Sequence, residues 1–143
     1  MQLIQQPLAS CDSPLKSTVY LISSRSQLQK RIWRGVAEDG KVFGFDLEEP
    51  LRHNQTFYQS KESTYIIQQE AEAVYRVDLK TPKQAAETAW MIGNLHFSAS
   101  FSEKSLIVPI DPALQNLFTE HSIAYCRETT VFLPPKGRIA HQH

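Results

Sequence analysis

The chain has 143 residues, with 15 basic and 15 acidic side chains, zero formal net charge and 41% hydrophobic residues. That composition is globular, and a pI near 7.0 lacks the basic footprint of a nucleic-acid binder or an anionic-membrane ligand. No apolar run approaches the roughly 20 residues of a membrane span. The first ten residues also lack the basic and apolar regions of a signal peptide.

From Ser17 to Leu79 the pattern is short strands and polar turns. Thr18 to Ile22 is a β-branched and aromatic run, and Gln29 to Val36 is a second strand. Glu38-Asp39-Gly40 is hairpin chemistry leading into Lys41 to Leu47, which Glu49-Pro50 breaks. Thr56 to Ser60, Thr64 to Gln69 and Ala73 to Leu79 complete an all-β half.

The second half changes period. Thr81-Pro82 reads as an N-cap with proline in the first turn, and Ala85, Ala86, Ala89, Trp90 and Ile92 recur at helical spacing up to a stop at Gly93-Asn94. His96 to Ser100 and Ser105 to Ile110 form a hairpin across Ser102 to Lys104. Asp111-Pro112 opens a second helix with Leu114, Leu117 and Phe118 on one face, and Ile123 to Leu133 is the last strand. Strand, helix, strand, strand, helix, strand is the split βαβ order of ferredoxin-like folds. The expected fold class is therefore α+β. A β-rich partner-binding domain over residues 1–73 precedes a ferredoxin-like (βαββαβ) domain over 74–136, and residues 137–143 form a histidine-containing tail. Trp33 and Trp90, with the phenylalanines, are expected in the core, and Tyr65 and Tyr75 as strand aromatics.

The chemistry rests on histidine. There is no phosphate-binding glycine loop, no G-x-S-x-G elbow and no H-E-x-x-H, and no nucleophile and base share a plausible spacing, so the chain is not expected to be an enzyme. Cys11 and Cys126 are too few and too distant for a disulfide framework, which points to a reduced, cytoplasmic protein. His53 falls in a polar turn and His121 at the end of a helix, where an imidazolium complements the helix dipole. The pair His141 and His143, two residues apart, can chelate a borderline divalent ion or remain a solvated tail. His96 sits at a helix-to-strand corner, where one histidine alone is more often a satisfied corner residue than a ligand. A two-fold axis would present it twice, and a neutral surface repels its own copies weakly.

The stretch Ala89-Trp-Met-Ile-Gly-Asn-Leu-His96 resembles the "L-G-N-R-H" segment of the UreE family of urease accessory proteins. The surrounding layout agrees from about residue 17 to 143: Arg34-Gly35, Glu38-Asp39-Gly40 and Gly44 in the β half, Ile110 to Leu114 opening the next helix, and a histidine-bearing tail. The resemblance implies a homodimeric nickel metallochaperone for urease maturation, working with the urease accessory GTPase and the urease apoprotein complex. It makes His96 the ligand at the dimer two-fold and His141 and His143 auxiliary ligands for Ni²⁺, with Zn²⁺ or Cu²⁺ able to compete in vitro. Leu95 stands where the family usually has arginine, and Met91 where many members have another histidine. With only two tail histidines, one site per dimer is implied rather than storage of many ions. The rival reading is a UreE-like protein-interaction module without a physiological metal, docking partner segments by strand addition.

Overall fold

The structure, a computed structural model, describes residues 1–9 and 16–135. It is mixed α+β with sheet predominating, and it divides into two compact units, Met1–Glu70 and Ala71–His143.

The first unit contains β1 (Gln2–Ile4), β2 (Ser17–Ser23), α1 (Arg25–Leu28), β3 (Ile32–Val36), β4 (Val42–Asp46), β5 (Thr56–Gln59) and β6 (Ser63–Gln69). They form two three-stranded sheets, β1-β4-β3 and β2-β6-β5. Gly40, at φ 90°, turns the chain between β3 and β4, and the Ala37 N–H donates to the Lys41 carbonyl at 2.9 Å to close the hairpin. Period-2 alternation sends Trp33, Phe43 and Phe45 inward, where Leu21, Phe57, Tyr65 and Ile67 join them. Phe43 is the hub, with edge-on ring contacts to Phe57, Tyr58 and Tyr65 at centroid distances of 4.9–5.3 Å. Two features correct the expected all-β reading. Residues assigned to a strand from Gln29 instead begin it at Ile32, because the Ser24 side chain caps the one-turn helix α1 by accepting from the Gln27 N–H. The short β1, not foreseen as a strand, pairs in parallel with β4.

The second unit contains β7 (Glu72–Asp78), α2 (Pro82–Asn94), β8 (Ser100–Phe101), β9 (Ser105–Pro109), α3 (Pro112–Glu120) and β10 (Cys126–Thr130). Its sheet order is β10-β7-β9-β8, with every neighbouring pair antiparallel. The strands joined by α2, β7 and β8, thus flank β9, while those joined by α3, β9 and β10, flank β7. Register sets Tyr75 opposite Val108 and Val77 opposite Leu106. Ile92 from α2 and Leu114 and Phe118 from α3 join the same core cluster. Full burial of each such side chain stabilises the unit by roughly 1.5–3 kcal/mol.

Both helices start as their sequences dictate. The Thr81 hydroxyl accepts from the Gln84 N–H and the Asp111 carboxylate from the Ala113 N–H, with proline following each cap. The expected strand from His96 to Ser100 is not formed. Only Ser100–Phe101 pairs, and His96 is spent on ending α2, its N–H donating to the Gly93 carbonyl.

Candidate metal centre

The site begins with the orientation of α2. Thr88 and Ile92, four residues apart, are its buried residues. Two helical residues subtend about 200°, so Trp90 faces away from Ile92 and is 68% exposed, not in the core as expected. The spacing of Trp90 from Ile92 already carried this signal, since the two cannot share one face.

The helix ends at Asn94, at the expected Gly93-Asn94 stop, with Gly93 still helical. Leu95 caps it, its N–H donating to the Ile92 carbonyl at 3.1 Å, and the His96 N–H donates to the Gly93 carbonyl at 2.9 Å. His96 itself is left-handed, at φ 62°. That conformation costs an ordinary L-residue roughly 1–2 kcal/mol, and histidine is among the few side chains enriched there. The outcome is an exposed imidazole on a backbone fixed by helix hydrogen bonds, with the exposed apolar side chains of Leu95 and Trp90 nearby in sequence.

Gly93 adds a second observation that sequence reasoning missed. Glycine in a helix interior costs about 0.5–1 kcal/mol relative to alanine, yet a Cβ built there meets nothing within 4 Å. Among the described residues nothing gives a packing reason for a glycine there.

The other histidines have separate places. The Nδ1 of His53 accepts the Gln69 N–H at 3.0 Å, so that ring serves a turn. His121 caps α3, its N–H donating to the Leu117 carbonyl at 3.1 Å, and lines a shallow groove with Ala86, Glu87, Trp90 and Met91. His141 and His143 lie outside the described residues. Among the described residues, no three His, Cys, Asp or Glu side chains converge as a metal cradle.

A neighbouring cleft is lined by Arg76, Asp78, Glu87, His121 and Cys126. Cys126 pairs in register with Arg76, and its sulfur, then Glu128 and Asp78, hold the guanidinium above its ordinary range. Ion pairs at 2.7 Å to Glu128 and 3.3 Å to Asp78 already engage Arg76. The cleft therefore offers no free cation for an anionic ligand from this residue.

Comparison with known proteins agrees with this layout. The family model described as the UreE urease accessory protein, C-terminal domain, matches residues 72–143. The urease accessory protein UreE of Staphylococcus carnosus (strain TM300) is 28% identical over 127 residues, covering 87% of this chain and 83% of the relative. The protein of the same name from Staphylococcus aureus (strain Newman) matches to the same extent. With its C-terminal half matched by that model and most of its length by these relatives, the chain belongs to the UreE family of urease accessory proteins, factors in urease maturation and not enzymes themselves.

Proposed function

We propose that the chain is a cytoplasmic nickel metallochaperone that carries Ni²⁺ as cargo to a maturing urease, the ion held between the His96 imidazoles of a homodimer. The carrying observation is the exposed His96, set on a left-handed backbone at the end of α2 in a chain of the urease accessory family. Three further facts support it. One copy's described residues assemble no cradle, so a second imidazole must come from a mate or from His141 and His143. Gly93, one turn from His96 with open space above it, leaves room for the close approach of another backbone. Exposed Trp90 and Leu95 supply apolar surface for such a contact.

In this reading the Ala71–His143 unit is a ferredoxin-like metal-binding domain, which its strand order supports, and the Met1–Glu70 unit is the partner-binding domain. The clients are the accessory GTPase and the urease apoprotein complex. Neutral imidazoles also take Zn²⁺ and Cu²⁺, and raw affinity favours copper, so nickel selectivity must come from supply and partners. Few ligands, two of them on a tail, suit a carrier that releases its cargo.

Calorimetric titration of Ni²⁺ into wild type and His96→Ala tests the proposal. Wild type should bind one tight Ni²⁺ per two chains, and the variant should lose that event. Unchanged affinity and stoichiometry in the variant would overturn the interface site and leave the interaction-module reading in its place.

A further inference from the structure

Five of the eleven large hydrophobic side chains exposed among the described residues lie on the outer side of one small sheet, β1-β4-β3. Register explains how they gather. Trp33, Phe43 and Phe45 point into the core, so the alternate positions point out. Val36 pairs with Val42, Ile32 with Asp46, and Leu3 with Gly44, which in turn pairs with Arg34. A Cβ built on Gly44 would lie 2.9 Å from the Met1 Cε, so the Met1 side chain rests in the notch that this glycine leaves. Met1, Leu3, Ile32, Val36 and Val42 are 72%, 53%, 75%, 59% and 37% exposed. A sheet with apolar residues on both faces ordinarily has both covered.

We infer that this face docks on the same face of a second copy of the chain. Its charges are self-complementary. It carries one cation, Arg34, and one anion, Asp46, at diagonal positions on neighbouring strands, and neither has an ion pair among the described residues. Such diagonal neighbours are about 7–8 Å apart. A two-fold axis midway between them brings Arg34 onto the Asp46 of the second copy, and the converse, with the aliphatic side chains meeting around them. Scaled by the exposures above, the five side chains offer roughly 500 Å² per copy, or roughly 1,000 Å² in a two-fold contact, the lower bound for a specific interface. The association is therefore weak and concentration-dependent, and the zero net charge of the chain does not oppose it. The face belongs to the Met1–Glu70 unit and involves no histidine, so it stands or falls independently of the nickel site.

Sedimentation velocity of the full chain in chelator, from about 5 to 500 µM, tests this. Wild type should shift with concentration from its basal species to twice that mass. Ile32→Lys, at an exposed position that tolerates it, should weaken the shift by about tenfold in concentration while the far-ultraviolet dichroism stays unchanged. Arg34→Asp should do likewise, and Arg34→Asp combined with Asp46→Arg should restore the shift. A wild type of constant mass overturns the inference. So does an association that survives Ile32→Lys, or a constant-mass wild type whose Ile32→Lys variant fails only in transferring Ni²⁺ to the urease apoprotein, which would make the face a dock for that partner instead.

Discussion

The backbone N–H of His96 donates to the Gly93 carbonyl at 2.9 Å, so the last turn of α2, not the loop beyond it, sets where the imidazole stands. A left-handed residue at this position has a conformational role and a chemical role, and two substitutions separate them. His96→Gly removes the imidazole and the steric cost together, whereas His96→Ala removes the imidazole and keeps the cost. His96→Gly is expected to be more stable than His96→Ala by about 1 kcal/mol in urea unfolding, while both lose tight Ni²⁺ binding to the same degree.

Gly93→Ala should separate folding from function in the opposite sense. With nothing within 4 Å of the added Cβ, alanine should stabilise the helix by about 0.5–1 kcal/mol. If a second copy closes on that spot, the same methyl group should weaken dimerisation and raise the nickel dissociation constant. Thermal melts and calorimetry on one preparation measure both, and equal nickel affinity would show that the space above Gly93 stays empty.

The Tyr65 hydroxyl donates to the Asp39 carboxylate at 2.5 Å, tying β6 to the β3–β4 turn. That bond, followed by burial, pushes Tyr65 up to about 12 from 10.0, and it holds Asp39 below its ordinary carboxylate value. The signs follow by linkage. The raised tyrosine contributes stability that is complete below pH 10 and is lost as pH rises towards about 12. The lowered aspartate contributes stability that is present above the ordinary carboxylate range and is lost as pH falls through its own value. Tyr65→Phe should cost about 1 kcal/mol at neutral pH and flatten the alkaline limb of a stability-against-pH profile.

Two glycines of the paired strands β3 and β4 should respond differently to alanine. At Gly35 the new Cβ would lie 2.9 Å from both the Leu21 Cδ1 and the Trp33 Cζ3, side chains packed in the core, and about 1–3 kcal/mol of overpacking strain is expected. At Gly44 the obstacle is the flexible, exposed end of Met1, which can swing aside, so the cost should be well under 1 kcal/mol. Paired urea titrations check the ranking.

Protons compete with metal for imidazole nitrogen, so nickel affinity should fall steeply below about pH 6. His141→Ala with His143→Ala should weaken binding about tenfold without changing the one-per-dimer stoichiometry, since the tail completes a shell that His96 founds. Calorimetry across pH 5–8 measures both effects, and a pH-independent affinity would exclude histidine as the principal ligand.

What was legible in the sequence was local. Thr81-Pro82 and Asp111-Pro112 announce their helices because a cap acts within three residues of itself. Glu38-Asp39-Gly40 announces its hairpin because one φ of 90° closes it. The Ala89 to His96 segment, at its place in the two-domain layout, carried the family resemblance by residue type and order. The tertiary structure decided the rest. Three residues of β1 are a strand only because β4, some forty residues on, supplies the ladder. Trp90 is outside because Thr88 and Ile92 claim the buried face of α2. His96 is left-handed, and its imidazole exposed, because α2 runs through Gly93 and must end at the next residues. Residue types and short spacings name the chemistry, but the direction in which a side chain faces depends on long-range pairing and packing.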